Sequence, residues 1–408
     1  MVHDPVAMLI PVEEALALAL ADLKPLPPER ISLWSADGRV LAEDIVARSP
    51  LPPFDHSAMD GYAVQSGALL GEGPHELRVI GEISTDAGGV EVGPTTCCRI
   101  FTGAVLPEGA DAVIIQENVT REGDVIRFDE RPDPGQNVRR EGSDLAAGTV
   151  ALTAGERLDA GRLGLIAALD RVEAVVARRP VVTSLSTGDE LRPPGQPGRR
   201  ESIPESNGLV LSALARRAGA IPRVAPFVRD ARAATEAAIR AAAAGSDLLV
   251  TVGGASVGDH DLVRPAMEAV GVTIDFWGGA LKPGKPTASG RLGTTRVLGL
   301  PDNPGSATLT FCLFGMAILR TLQGDRAPRP RPTRMPVRGG LRRRPGREEY
   351  LRATLELEAE GWVARLHRGQ SSGAVTSFAR ADALVRVPAD QAEVVDGASL
   401  DVFRLADF

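Results

Sequence analysis

The chain has 408 residues, a formal net charge of −7 and 43% hydrophobic residues. This length exceeds what one hydrophobic core normally supports, so we expect two to four domains. The composition is typical of globular protein, and the negative charge argues against a nucleic-acid binder, which would need a basic face for phosphates.

The N-terminal segment carries Glu13 and Glu14 among apolar residues and lacks the basic start of a secretory signal, so it predicts an amphipathic helix. The later apolar stretch Ala307–Leu319 is too short to cross a bilayer and predicts a buried helix. The three cysteines, an adjacent pair and a distant single residue, match neither a disulfide framework nor a metal-ligand spacing. We therefore expect a cytoplasmic protein with no membrane segment.

From about residue 30 to 178, short apolar runs are broken by glycine and proline, which is typical of β structure. The ends of this region differ from its middle, because a helical pattern at Ala160–Leu169 follows a β-rich insert. We therefore predict a discontinuous first domain, residues 1–50 and 139–178, that holds a β-rich domain, residues 51–138. The predicted strands are Val79–Ile83, Arg99–Thr102, Ala112–Gln116, Val125–Phe128 and Thr149–Leu152.

Between residues 179 and 327, strands alternate with helices, which predicts a mostly parallel sheet covered by helices. We expect Asn207 to cap a helix ending near Gly219, and Asp230 to cap an alanine-rich helix ending at Gly245. A proline-rich linker then leads to a predicted C-terminal β domain, residues 328–408. The other elements predicted after residue 179 are the strands Val181–Ser186, Pro222–Val228, Leu248–Val252, Val272–Phe276, Val297–Leu300, Tyr350–Leu357, Trp362–Leu366 and Ala383–Val387, and the helices Asp261–Val270 and Pro304–Leu322.

Ligands of such a sheet bind outside the carboxyl ends of its strands, where this sequence has polar loops. Taken singly, aspartates at helix starts are usually caps and glycine runs are usually turns. Taken together, glycine loops can bind an anion through backbone N–H groups, and neighbouring carboxylates can hold a divalent ion such as Mg²⁺. The loop residues that we assign to substrate binding are Thr187, Gly188, Gly253, Gly254, Ser256, Pro301 and Asn303.

Lys282 and Lys285 occupy a segment stiffened by proline, Lys-Pro-Gly-Lys-Pro. This stiffness favours two ammonium groups aimed at a phosphate or another oxyanion. The alternative is a turn with two exposed lysines. The sequence has no Walker-type loop, which weakens ATPase and kinase interpretations.

Eight ordered segments make the chain resemble the molybdopterin molybdotransferase family, which includes bacterial MoeA and the gephyrin E domain. The segments are PPFDHSAMDGYAV, RIFTGAVLPEGADAVI, GQNVRREGSDLAAGT, STGDEL, ESNG, GGASVGDHD, LKPGKP and GQSSGAVTSFARAD.

The resemblance implies a multidomain α/β plus β fold, in which a central molybdopterin-binding-like domain is flanked by β-rich domains. It also implies a homodimer with its cleft between the third domain of one subunit and the first two of its partner. The implied reaction inserts molybdenum from molybdate into adenylylated molybdopterin and cleaves the adenylate with Mg²⁺. The implied partners are the molybdopterin adenylyltransferase and molybdoenzyme maturation proteins.

The resemblance carries over site residues by position. The implied catalytic residues are Asp60, Glu190, Asp230, Asp261, Lys282 and Lys285. Further substrate-binding residues are Thr102, Arg139, Asp144 and Ser372, and the proposed Mg²⁺ ligands are Glu190, Asp259 and Asp261. The segment Arg347–Arg352 also matches the C-terminal site positions of the family.

One loop departs from the family pattern, because Asp302 and Gly305 stand where glycine and valine are usual. A carboxylate in a loop that approaches an anion is unexpected there. Two alternatives stay open: a non-catalytic pterin-binding or scaffolding relative, and an unrelated Mg²⁺-dependent phosphoester hydrolase, which would explain the polar strand-end loops alone.

Overall fold

The computed structural model describes residues 9–84, 89–253 and 262–408. The N-terminal helix Val12–Leu20 buries Val12, Ala15, Leu16 and Ala19 on one face, which confirms the predicted amphipathic helix. Gly254, Ser256, Asp259 and Asp261, four of the predicted site residues, lie outside the described residues.

Two distant chain segments share one core near the N-terminus. The strand Pro28–Ser32 pairs antiparallel with Glu173–Ala177, and Ile45–Val46 pairs with Val150–Leu152. The helix Ala160–Ala168 packs onto them after Asp159, whose side chain accepts a hydrogen bond from Arg162 N and caps the helix. The domain boundaries predicted from the sequence stay predictions.

Between these segments lies a six-stranded mixed sheet with apolar clusters on both faces. The predicted strands of this region are confirmed, although the observed bounds differ: the predicted Val79–Ile83 begins at His75, and Arg99–Thr102 is shifted to Thr96–Ile100. In spatial order the strands are Ala112–Ile115, Gly61–Val64, Thr96–Ile100, His75–Ile83, Val125–Phe128 and Thr120–Glu122.

The central sheet has four parallel strands and an antiparallel pair at one edge, which confirms the mostly parallel prediction. All five residues of Leu248–Val252 are buried, as expected for a strand covered on both faces. In spatial order the strands are Ile221–Val224, Val181–Ser186, Leu248–Val252, Thr295–Leu300, Ala288–Leu292 and Thr273–Trp277. The covering helices are Asn207–Arg217, Arg232–Ala243, Val263–Ala269, Pro304–Thr310 and Met316–Leu322.

Two capping predictions were wrong. Asn207 is the first helical residue instead of the cap, and its amide donates to Asp302 O at 2.9 Å. Asp230 precedes the cap residue Ala231 and makes no capping hydrogen bond. A loop contact that the local sequence does not show holds Asn207, whereas Asp230 is exposed. The strand predicted at Pro222–Val228 is also shorter, Ile221–Val224.

The segment Pro304–Leu322 is helical throughout and contains one π-helical turn, Phe311–Gly315. Its 19 residues and mean hydropathy of 1.4 would allow a membrane span by length and composition, because the helix extends beyond the apolar stretch Ala307–Leu319 at both ends. However, 83% of its most apolar window is buried inside the protein. It is a core helix, as the prediction of a buried helix stated.

The C-terminal strands form a closed ring, because Glu348–Glu358 pairs with both Gly361–Leu366 and Ala383–Val387. The remaining members, Thr333–Arg338 and Ser399–Arg404, complete the barrel around a separate apolar cluster. The short strand Leu281–Lys282 of the central domain pairs in parallel with Glu348 and Glu349 of this barrel. A short helix, Val375–Ala379, links two of the strands.

Candidate active site

The loops at the carboxyl ends of the central strands are joined to one another by backbone hydrogen bonds. Thr187 N donates to Val252 O at 2.9 Å, and Gly253 N donates to Leu300 O at 3.3 Å. Gly188 N likewise donates to Val228 O at 3.0 Å. The described part of the predicted strand-end site is therefore a single edge of the sheet.

Gly253 lies at the closest approach of two of these loops. Its φ is +100°, and a Cβ atom would lie 2.6 Å from Thr187 O. A side chain would therefore separate the loops, which explains why glycine follows the strand Leu248–Val252.

A cavity of about 610 Å³ opens beside this edge, within the size range of sites for small molecules and cofactors. Its lining contains three cationic side chains and one carboxylate, Asp302. The excess of positive charge suits a polyanionic ligand. The lining residues are Lys282, Pro283, Gly284, Lys285, Pro286, Pro301, Asp302, Asn303, Ser306, Arg347, Gln370, Ser371 and Ser372.

Five predicted site residues line this cavity: Lys282, Lys285, Pro301, Asn303 and Ser372. Both lysines are exposed, whereas Pro283 and Gly284 between them are buried. Gly284 has a φ of +121°, and a Cβ atom there would lie 2.5 Å from Thr310 Cγ2. The buried centre of the loop therefore fixes the backbone from which the two ammonium groups project.

The C-terminal domain supplies a second wall, for which the resemblance indicated Ser372 and the segment Arg347–Arg352. Gln370 and Ser371, which also line it, were not predicted. Arg347 brings the third positive charge to the cavity.

The fully buried Arg352 holds this wall in place. Its Nη2 donates to Ser371 O at 2.9 Å and its Nε donates to Ser377 Oγ at 3.1 Å. The backbone N–H of Arg352 also donates to Gln370 Oε1 at 3.0 Å. Burial lowers the pKa of the guanidinium, because desolvation disfavours its charged form.

A smaller cavity of about 120 Å³ shares the lining residues Asp302 and Asn303 with the larger one. It contains the predicted residues Thr187 and Glu190, and also Glu205, which the prediction missed. Glu205 Oε1 accepts hydrogen bonds from Ser186 Oγ at 3.1 Å and Gly208 N at 2.9 Å. Glu205 is the first residue of the ESNG segment, one of the motifs shared with the family, and this motif could have indicated it.

Two polar atoms of the smaller cavity are buried without a hydrogen-bond partner, Thr187 Oγ1 and Asn207 Oδ1. Together with the carboxylates of Glu190, Glu205 and Asp302 they make an oxygen-rich lining that suits a hydrated hard cation such as Mg²⁺. Within the described ranges, no three histidine, cysteine, aspartate or glutamate side chains cluster as a metal site. The described residues therefore supply part of a coordination sphere at most.

Asp230 is exposed and lines neither cavity, although its backbone N–H donates to Asp189 Oδ1 at 3.4 Å. Gly188 lies directly beneath Glu190, whose carboxylate would be 2.6 Å from a Cβ atom at position 188. Gly188 and Gly253 thus shape the edge without facing the larger cavity.

The four site residues predicted in the N-terminal half line neither cavity. Asp60 Oδ1 accepts from Thr102 N at 2.8 Å and from Thr102 Oγ1 at 2.9 Å. The hydrogen bond from the Thr102 backbone is the largest cause that lowers the Asp60 pKa, which keeps this carboxylate ionised. Arg139 and Asp144 are exposed on the same half of the chain.

Three family models match successive parts of the chain. They describe the MoeA N-terminal region, domains I and II, at residues 10–169, a probable molybdopterin binding domain at residues 183–321, and the MoeA C-terminal region, domain IV, at residues 334–405.

Full-length relatives agree with these models. A Haemophilus influenzae protein named molybdopterin molybdenumtransferase is 34% identical over 93% of this chain and 94% of its own length. A Mycobacterium tuberculosis protein named molybdopterin molybdenumtransferase 2 is 35% identical over 93% of this chain and 95% of its own. The crystal structure of a molybdopterin biosynthesis MoeA protein from Pyrococcus horikoshii has a TM-score of 0.87 and 28% identity, and covers 97% of this chain and 100% of that one.

Proposed function

Because this chain belongs to the MoeA family of molybdopterin molybdenumtransferases, we propose that it is the enzyme that inserts molybdenum during molybdenum cofactor biosynthesis. The family membership inferred from eight sequence motifs is thereby confirmed. The finer proposal is that the chain binds adenylylated molybdopterin and molybdate, cleaves the adenylate with Mg²⁺ and releases the completed cofactor.

The observation that carries this proposal is the cationic cavity of about 610 Å³ at the strand ends. A pterin nucleotide is a polyanion, and Lys282, Lys285 and Arg347 in the cavity lining offer it three positive charges. When water adds to one phosphorus of the link between the AMP and pterin phosphates and the bridging P–O bond breaks, negative charge grows on the bridging oxygen, which leaves with the other phosphate. Ammonium groups held beside that oxygen would stabilise it before it is protonated.

The proposed Mg²⁺ ligands remain Glu190, Asp259 and Asp261, of which Glu190 lies among the described residues. Thr187 Oγ1 has no hydrogen-bond partner in the smaller cavity, which Glu190 also lines, and this supports binding of a polar ligand there. Bound there, Mg²⁺ would neutralise phosphate charge and polarise the phosphorus–oxygen bond. Asp230 belongs to the proposed site because its backbone N–H donates to Asp189, the residue before Glu190.

We further propose a homodimer in which Asp60, Thr102, Arg139 and Asp144 of one subunit face the sheet edge of the other. These four residues line neither cavity of their own chain. The ionised Asp60, fixed by Thr102, would then add a carboxylate to the cleft. The proposal also includes a cytoplasmic location, an adenylyltransferase that delivers the substrate, and maturation proteins that accept the product.

The test is a reconstitution with purified protein, adenylylated molybdopterin, molybdate and Mg²⁺. We expect release of AMP and a product that activates a cofactor-free molybdoenzyme. Glu190→Gln should lower turnover by about 100-fold, because a charged group at the reacting phosphates is lost.

Circular dichroism and the melting temperature provide the folding control for both proteins. A folded dimer that yields no AMP and no active cofactor would overturn the proposal and favour a non-catalytic pterin-binding relative. AMP release without cofactor formation would favour a phosphoester hydrolase.

A further inference from the structure

A buried ion pair lies behind Lys282, inside the C-terminal barrel. Arg343 Nε donates to Glu349 Oε2 at 2.7 Å, and the two side chains are 2% and 5% exposed. Arg343 also donates to the carbonyl oxygens of Pro388 at 2.9 Å and Gln391 at 2.5 Å. Since an unpaired buried charge is costly, this network holds the Glu349 carboxylate in one position.

The second oxygen of Glu349 contacts the cavity lysine. Lys282 Nζ lies 2.9 Å from Glu349 Oε1, and the lysine side chain remains 45% exposed. The two residues are also direct partners in the parallel pairing of Leu281–Lys282 with Glu348–Glu349. A free lysine samples many rotamers on its four-carbon stem, so this contact restricts where the ammonium can be.

A carboxylate next to Lys282 would by itself oppose anion binding, but Arg343 compensates its charge. The same guanidinium reaches a second part of the cavity wall, because Arg343 Nη2 donates to the backbone carbonyl of Arg347. Arg347 lines the cavity with its side chain. One buried pair thus supports two of the three cations.

We propose that Glu349 and Arg343 form a positioning pair that fixes the Lys282 ammonium and the Arg347 backbone for the phosphate groups of the substrate, an inference that rests on the proposed function. Neither residue lines the cavity. They act through Lys282 and Arg347, and they make the C-terminal domain part of the phosphate site.

The direction in which Glu349→Gln changes anion affinity distinguishes a positioning role from a purely electrostatic one. Removal of a carboxylate near an anion site should strengthen anion binding if only Coulomb attraction matters. If Glu349 positions Lys282, Glu349→Gln should weaken binding instead. Isothermal titration calorimetry with inorganic pyrophosphate measures this affinity without turnover. The ionic strength is kept constant because salt screens the attraction between charges.

We expect Lys282→Ala to weaken pyrophosphate binding by about tenfold, as for the loss of one charged hydrogen bond. Glu349→Gln should weaken it by a similar factor. The matched control is Glu358→Gln, which removes a carboxylate from the other end of the same strand, at its ion pair with Arg338. This control should bind pyrophosphate as the wild type does.

Glu349→Gln leaves Arg343 buried without its partner and so endangers folding. The double variant Arg343→Met with Glu349→Met removes both charges, keeps the net charge and replaces the pair with apolar side chains of similar volume. We expect it to fold and to bind pyrophosphate about tenfold more weakly than the wild type.

A folded Glu349→Gln or double variant that binds pyrophosphate as tightly as the wild type, or more tightly, overturns the positioning pair. The proposed function survives that result if Lys282→Ala still weakens binding. A folded wild type that does not bind pyrophosphate overturns the phosphate site itself, and the positioning pair with it.

Discussion

Gly305 shows how one missing side chain sets the distance between two domains. Its backbone N–H donates to Ser372 O at 2.9 Å. A Cβ atom at this position would lie 2.6 Å from the same oxygen, and real Cβ atoms do not approach a carbonyl that closely. The Ser371–Ser372 wall of the larger cavity can therefore lie against the helix Pro304–Thr310 only because residue 305 is glycine.

We expect Gly305→Val, the residue usual in the family pattern, to push this wall away from the helix. The hydrogen bond to Ser372 would be lost, and strain would lower the free energy of unfolding by about 1–3 kcal/mol. Affinity for pyrophosphate should fall because Ser371 and Ser372 line the cavity. Chemical denaturation and calorimetric titration measure the two effects.

A glycine without such a neighbour provides the control. Gly164 lies in the helix Ala160–Ala168, and a Cβ atom there meets nothing within 4 Å. Gly164→Ala should raise stability by about 0.5–1 kcal/mol and leave pyrophosphate binding unchanged. Equal behaviour of the two variants would show that Gly305 is not a packing requirement.

At the scale of elements, the turn between Val150–Leu152 and the helix Ala160–Ala168 depends on one carboxylate. Glu156 Oε1 accepts from Thr153 N at 2.9 Å and from Thr153 Oγ1 at 2.8 Å. Glu156 Oε2 accepts from Arg162 Nε at 3.0 Å. The hydrogen bond from the Thr153 backbone is the largest of the causes that lower the Glu156 pKa to about 2.

Because the pKa of Glu156 is lower in the folded chain than its ordinary value, its stabilisation is present above pH of about 4.5 and is lost as the pH falls towards 2. We expect Glu156→Gln to lower the free energy of unfolding at pH 7 by about 1 kcal/mol, since solvent screens part of the effect. Urea titrations at pH 7 and pH 2.5 measure this difference. A difference that stays constant with pH would contradict the assignment to ionised Glu156.

Elements with strong patterns were predictable from the sequence. Leu248–Val252 has the same bounds in the prediction and in the structure, because a short run of mostly apolar, β-branched residues between turn signals specifies a buried strand. The strand Ala288–Leu292 was not predicted, since Ala-Ser-Gly-Arg-Leu has neither alternation nor β-branched residues. Its partner strand Thr295–Leu300, with which it pairs antiparallel, makes it a strand.

The candidate site was predictable where its residues follow a strand or occupy a stiff loop, as Thr187 and Lys282 do. Arg347 and Glu349 carry no such local signal, and only the resemblance of the segment Arg347–Arg352 to the family pattern indicated them. They reach the cavity region only because Leu281–Lys282 pairs with Glu348–Glu349, a segment far along the chain in another domain. Such contacts between domains are a property of the tertiary structure.

At the scale of the whole molecule, the central and C-terminal domains share one apolar core. This cluster contains Leu248 and Val252 of the central sheet together with Tyr350 and Phe403 of the barrel. The C-terminal residue Phe408 is 2% exposed within it. Its ring centroid lies 6.2 Å from that of Phe403.

We expect Phe408→Ala to destabilise both domains together, by about 3–5 kcal/mol, because it leaves a cavity in this shared core. Thermal unfolding followed by circular dichroism should show one transition at a lower temperature. Trp362→Ala, at a barrel residue that is 57% exposed, should change stability much less. A variant in which the barrel melts alone would contradict a common core.

The pairing of Leu281–Lys282 with Glu348–Glu349 attaches the barrel to the central domain beside the cavity. Anion binding and this attachment, which we call docking, should therefore strengthen each other. Any anion that prefers the docked arrangement must strengthen docking by the same factor by which docking strengthens its own binding. Saturating pyrophosphate should therefore slow proteolysis of the linker around Pro328–Pro332 and hydrogen exchange at the Lys282–Glu349 strand pair. A bound anion would thus stabilise the contact between the central domain and the barrel.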